Sequence, residues 1–173
     1  YQSFVSQGAA TSPKWQFYWY GGFLRFQVRT SSTSSATFSA PWSAPLNTWT
    51  HLAVAREGDQ LIFFVNGIVA GKTALAGVVL PDSPDLLKIG AISIDSGGTR
   101  YLEGQLDEIR ISKGAARWNA NFVLPASRYT SDAETKLLVH YGSPTTLFFD
   151  DRGGDSHVLS LVQQARPDLI DKV

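Results

Sequence analysis

The sequence predicts an all-β protein, an antiparallel two-sheet sandwich, on three observations. Apolar and polar residues alternate with a period of two through much of the chain. Glycine, proline and asparagine turns interrupt that alternation at about 8–12-residue intervals, the spacing of short sandwich strands. Helix signals are thin, and strands do not alternate with helices as a parallel sheet requires.

The elements follow in order. Trp15-Gln16-Phe17-Tyr18-Trp19-Tyr20 and Phe23-Leu24-Arg25-Phe26-Gln27-Val28-Arg29 flank Gly21-Gly22, a two-residue hairpin signal. Pairing across that turn sets Tyr20 opposite Phe23, Trp19 opposite Leu24, Tyr18 opposite Arg25 and Phe17 opposite Phe26. Because side chains alternate, Trp15, Phe17, Trp19, Leu24, Phe26 and Val28 share a core face. Gln16, Tyr18, Tyr20, Phe23, Arg25 and Gln27 share the other, which is polar and aromatic together. Residues 30–38, rich in Ser and Thr, form a loop or weak edge strand. Residues 49–56 form a strand and Glu57-Gly58-Asp59 a turn. A second hairpin then joins 60–65 to 68–72 through Asn66-Gly67, which suits a type I′ turn because both residues tolerate positive φ. Residues 61–65 are apolar on both faces, so this strand is covered on both sides. Further strands are expected at 86–90, 105–111 and 136–141. Ser131-Asp132-Ala133-Glu134 has capping-box spacing, yet only a turn fits before the 136 strand; residues 114–118 allow one more turn. Residues 163–173 read as a polar tail.

Composition narrows the functional classes. The chain has 173 residues, near the roughly 150 of one domain. Its 15 basic and 15 acidic residues cancel, so no basic excess exists to neutralise nucleic-acid phosphates. With 43% hydrophobic and 17% charged residues the chain is not disordered, and no run reaches the about 18 apolar residues of a membrane span. Cysteine is absent, which excludes disulfides, thiolate zinc sites and a cysteine nucleophile. With Tyr1 first and methionine absent, the chain reads as a piece of a longer polypeptide.

The run Asn47-Thr48-Trp49-Thr50-His51-Leu52-Ala53-Val54-Ala55-Arg56, the 61–67 segment and Gly104-Gln105-Leu106-Asp107-Glu108-Ile109-Arg110-Ile111-Ser112 resemble the laminin-G-like form of the concanavalin A-like superfamily. Ser112-Lys113-Gly114-Ala115-Ala116-Arg117-Trp118 with Asn121-Phe122-Val123-Leu124-Pro125 is similar to the variant common in bacteriophage tail and bacterial surface proteins. The resemblance covers about residues 1–141. It implies a two-sheet jelly roll that binds glycans or proteins, sometimes with calcium, on an extracellular or virion surface. Family members open with strands before the position of Tyr1, while residues 136–150 resemble the opening strand of a following module. The expectation is a 1–135 sandwich lacking its opening strand, with residues 136–173 completing this sheet or a neighbour's. Residues 136–162 are then a route to homo-oligomers by strand exchange.

Candidate sites follow from side-chain chemistry. Sugar rings stack on aromatic faces while amides and guanidinium groups bond hydroxyls, which selects Gln16, Tyr18, Tyr20, Phe23, Arg25 and Gln27, with Trp42 and Trp118 as weaker candidates. Glycosidases of this fold set paired carboxylates on one strand. The nearest approach here is Glu103, Asp107 and Glu108, but the adjacent Asp107 and Glu108 point to opposite faces of a strand. His51, His140 and His157 sit in no nucleophile elbow and no zinc spacing, so His51 and His140 are expected to be satisfied strand residues. Oxygen-rich turns at Asp82-Ser83-Pro84-Asp85, at Asp95 and at Asp150 to Asp155 are weak calcium candidates, since Asp and Gly also form ordinary turns. The reading is a non-enzymatic recognition or structural module needing no cofactor unless calcium binds; a glycoside hydrolase or lyase of the same fold is the alternative.

Overall fold

The computed structural model describes residues 1–9, 14–94, 97–141 and 147–149, and among them every regular element is a strand. In chain order these are β1 (Gln2–Gln7), β2 (Lys14–Tyr20), β3 (Phe23–Arg29), β4 (Ser35–Pro41), β5 (Leu52–Glu57), β6 (Gln60–Val65), β7 (Ile68–Ala74), β8 (Leu87–Ile89), β9 (Ala91–Ser93), β10 (Thr99–Tyr101), β11 (Ile109–Ser112), β12 (Thr135–Tyr141) and β13 (Leu147–Phe149). One sheet runs β4-β3-β2-β1-β8; a β5-β6-β7 meander faces it; β9-β10 and β11-β12-β13 complete the set, all pairings antiparallel.

The hairpin register is the one the alternation predicts, with Tyr18 opposite Arg25 and Phe17 opposite Phe26. Gly21 and Gly22 (φ +62° and +82°) and Asn66 and Gly67 (φ +49° and +78°) both take the doubly positive form of a type I′ turn. The core lies between the large sheet and the meander: Phe17, Leu24, Phe26, Val28 and Ala40 meet Leu61, Phe63 and Leu75, with Trp15, Phe38 and Trp42 closing around them.

β6 is buried on both faces, as its sequence predicts. Phe63 enters the sandwich core, while Phe64 points the other way and meets Phe122 (ring centroids 5.4 Å apart). Its cover is a strap of residues 113–130 that crosses the outer face of the meander. The Phe122 amide donates to the Gly67 carbonyl (2.8 Å), Asn121 Oδ1 accepts from the Val69 amide (2.8 Å), and Lys72 Nζ donates to the Asn119 carbonyl (3.1 Å).

Several elements depart from the sequence reading. Residues 35–41 are a full strand, paired with β3 along its length at the sheet edge. β1, β9 and β10 were not foreseen. Ser3 and Ser6 differ by three positions and would face apart on a regular strand. A register shift between Ser3 and Val5 turns both hydroxyls to the Ala91 carbonyl (3.3 and 2.8 Å), so the β9–β10 ribbon is tied over β1. The strand expected at 105–111 spans only Ile109–Ser112, because Glu108 adopts φ +52° and the extended run can begin only after it. The 131–134 turn is set by the Asp132 carboxylate, which accepts from the Thr135 amide (3.0 Å) and hydroxyl (2.7 Å) as β12 begins. β12 pairs with β11 of this same chain, and residues 142–146 and 150–162 of the proposed exchange segment lie outside the described residues.

The strap makes one glycine indispensable. A Cβ on Gly67 would collide with the Phe122 carbonyl oxygen, whereas one on Gly58, also at positive φ (+57°), meets nothing within 4 Å. Gly58→Ala is expected to cost about 1–2 kcal/mol from backbone conformation alone. Gly67→Ala is expected to lower the denaturant midpoint clearly further; equal midpoints for the two variants would refute the clash.

Candidate functional site

On the outer face of β2, β3 and β4 the register builds rows of three: Tyr20, Phe23 and Pro41; Tyr18, Arg25 and Ser39; Gln16, Gln27 and Thr37; Lys14, Arg29 and Ser35. The six residues that alternation assigns to this face are all on it, but they divide in two. Gln16 and Tyr18 are buried. Tyr1 covers them, stacking on Tyr18 (centroids 4.8 Å, 19° between planes) and donating its hydroxyl to Gln16 Oε1 (3.0 Å). Burial raises the pKa of both tyrosines, so their hydroxyls stay neutral donors.

The amides expected to meet a ligand are engaged with each other. Gln16 Nε2 donates to Gln27 Oε1 (2.6 Å), and Gln27 Nε2 donates to Thr37 Oγ1 (3.1 Å). With the Tyr1 hydroxyl at its head, this is a one-way chain of hydrogen bonds across the sheet.

The accessible remainder is compact. Tyr20 is 50% and Phe23 37% exposed, and Ser39 and Pro41 beside them are exposed too. The Arg25 guanidinium carbon lies 5.5 Å from the Tyr20 ring centre and 5.4 Å from that of Phe23, within cation–π range of both. Sequence reasoning missed the β4 contribution. Its signal was the alternation Ser35, Thr37, Ser39 and Pro41 outward against Ala36, Phe38 and Ala40, masked by serine-rich composition.

The two tryptophan candidates stand elsewhere. Trp42 packs on the core edge, its carbonyl accepting from Trp19 Nε1 (3.0 Å). Trp118 belongs to the strap: it stacks flat on Phe122 (4.0 Å, 4°), and Arg110 lies over its ring (5.4 Å). That ring is enclosed by protein partners. Trp49, taken as a strand residue, lies in the loop before β5 and is 67% exposed.

Around Trp118 the strap closes on His51. The imidazole makes edge contacts with Trp118, Phe122 and Tyr129, and its Nε2 shares a hydrogen bond with the Tyr129 hydroxyl (2.8 Å). His51 Nδ1 is buried without a partner among the described residues. Burial, then the nearby Arg110, lowers the His51 pKa. Arg117 ties the strap to the turn that follows it through a bidentate pair with Asp132 (Nη1–Oδ2 2.6 Å), which holds that carboxyl well below the usual carboxylate range.

Two of the three carboxylates considered for catalysis, those of Asp107 and Glu108, are engaged within the fold. Glu108 does not pair with Arg110. Its Oε1 meets His140 Nδ1 (2.8 Å) and its Oε2 accepts from the Tyr129 amide (3.0 Å), while Asp107 Oδ1 accepts from the Glu108 amide (2.7 Å). Asp85 accepts from the Ala9 amide (2.9 Å) and the Ser83 hydroxyl (3.3 Å), so its carboxylate ties the 82–85 turn to residue 9. Among the described residues no three His, Asp or Glu side chains converge on a metal position. Asp95, Asp150 and Asp155 lie outside the described residues. No described helix is long and apolar enough to cross a membrane.

A two-layer antiparallel sandwich with an aromatic outer face has the architecture of a lectin-like domain. Residues 1–120 match the sequence model of the concanavalin A-like lectin/glucanases superfamily, laminin G type, and the chain belongs to that family. Searches of curated proteins and of solved structures give no significant match.

His51 sets a pH dependence. Its folded pKa lies below the unfolded 6.5, so above that pH both states are neutral and nothing is lost. As pH falls below 6.5 the unfolded chain takes up a proton that the folded chain resists, and stability declines. His51→Phe keeps a ring against Trp118 and Phe122 but cannot protonate. Its stability deficit relative to wild type, measured by urea unfolding, is expected to shrink from pH 7 to pH 5; a constant deficit would refute the assignment.

Proposed function

We propose that this domain is a non-enzymatic recognition module that binds a glycan at the Tyr20–Phe23–Arg25 patch. The observation that carries the reading is the exposed pair of rings flanking one guanidinium on an otherwise ordered sheet face. A pyranose presents an apolar face to a ring and equatorial hydroxyls to donors around it, and the patch offers both without rearrangement. Membership of a superfamily of lectins and glucanases supports a carbohydrate ligand. The engagement of both Glu108 oxygens supports binding over bond cleavage. The setting we assign, a virion or bacterial surface, rests on the resemblance of the strap sequence.

A glycan array followed by calorimetry tests the reading. Tyr20→Ala and Phe23→Ala are each expected to weaken binding several-fold with little change in melting temperature, since both rings are exposed. Trp118→Phe is expected to leave affinity unchanged. Chelation of calcium is expected to have no effect, because β2, β3 and β4 carry no carboxylate. Release of reducing ends from any bound glycan would overturn the non-enzymatic assignment.

A further inference from the structure

The five-stranded sheet has a charge pattern that the neutral chain as a whole conceals. β1, β2, β3, β4 and β8 contain no aspartate and no glutamate, yet they carry Lys14, Arg25, Arg29 and Lys88. The register puts all four on the outer face: Lys14 lies opposite Arg29, Tyr18 opposite Arg25, and Lys88 opposite Ser6, which itself lies opposite Gln16. Arg100 of β10 adds a fifth cation over the Tyr1 ring (5.3 Å). Lys14 is buried there, and Lys14 and Arg29 have partners of their own, so the accessible charge of this face rests on Arg25, Lys88 and Arg100.

Arg25 is the member of this set placed to use it. The ion pairs among the described residues join Arg117 to Asp132, and Arg128 and His140 to Glu108; Arg25 has none. Its cross-strand neighbours are Tyr18 and Ser39, neither of which can neutralise it. The Tyr20 and Phe23 rings flank the guanidinium, and its Nε is buried with no acceptor among the described residues. A guanidinium held in place beside sugar-stacking rings, with no counter-charge, is a preorganised fork for a planar carboxylate.

We infer that the ligand of the Tyr20–Phe23–Arg25 patch is an acidic sugar whose carboxylate pairs with Arg25 while its ring lies on Phe23 or Tyr20. The inference rests on the glycan reading above and adds its substrate class. The carboxylated sugar is a uronic-acid or sialic-acid type residue, and recognition weakens with ionic strength.

Calorimetry with two probes that differ only at C6 separates the levels: an oligogalacturonate and the matching neutral oligogalactose. The acidic probe is expected to bind about tenfold tighter at low salt, the worth of one charge-assisted fork. Arg25→Gln is expected to remove that preference, and Arg25→Lys to restore only part of it. Should either variant fold poorly, Ser39→Glu leaves Arg25 in place and supplies a competing carboxylate on the neighbouring exposed position; it is expected to remove the preference equally. Equal affinity for the two probes would overturn the acidic-sugar inference while leaving the glycan reading intact. Loss of neither probe on Phe23→Ala and Tyr20→Ala would overturn the glycan reading itself. Binding of a polyglutamate peptide with no binding of oligogalacturonate would overturn the inference in favour of an acidic protein partner.

Discussion

The central β6 strand of the meander, apolar on both sides, is the constraint on which the architecture depends. Ile62, Phe63 and Phe64 are almost completely buried, and each such side chain contributes about 1.5–3 kcal/mol by leaving water. One face is satisfied by the opposing sheet. The other requires a second layer, and the chain supplies it with an irregular strap instead of a third sheet. Irregular backbone over a buried surface must place its own polar groups. Asn119, Asn121 and Phe122 do so by bonding Glu57, Val69, Lys72 and Gly67 at the rim of the meander. The sequence signature of residues 112–125 is thus a record of how the outer face of β6 is closed.

The same chemistry occurs twice in this molecule with opposite outcomes. Arg110 lies over Tyr129 and Trp118, as Arg25 lies over Tyr20 and Phe23. Around Arg110 the rings touch one another, His51 and the strap, and the cluster serves as a joint. Around Arg25 the rings face solvent and no carboxylate shares the strands. Cation and aromatic ring therefore do not define a binding site by themselves; the surroundings decide whether the pair closes the fold or stays open.

How much was legible follows from which physics dominated locally. The first hairpin could be read residue by residue, because Gly-Gly fixes the turn and the alternation fixes the register; for the second, Asn-Gly gave the turn type, while the register shift between Phe63 and Phe64 had no signal in an unalternating strand. The double burial of β6 was equally plain, since an apolar run without alternation has no face to give to water. What could not be read were features created by contacts remote in sequence. Tyr1 covers Gln16 and Tyr18, and the β9–β10 ribbon covers the serines of β1, so a face that alternation marks as outward is half interior. β1, with its small polar serines, carries no apolar stripe; its place in the sheet depends on a shifted register and one carbonyl, that of Ala91. Glu108 looked like a strand residue but lies in a positive-φ turn just before the strand, held by His140 and the Tyr129 amide from other elements.

The hydrogen-bonded file from Tyr1 through Gln16 and Gln27 to Thr37 has a directional sense: each member donates onward and accepts from behind. An amide turned end for end at one place would set donor against donor beside it, and the reversal would have to pass along the whole file. These four positions consequently form a single unit of inheritance. In related sequences they are expected to change as a group or not at all, with polarity conserved even where identity is lost.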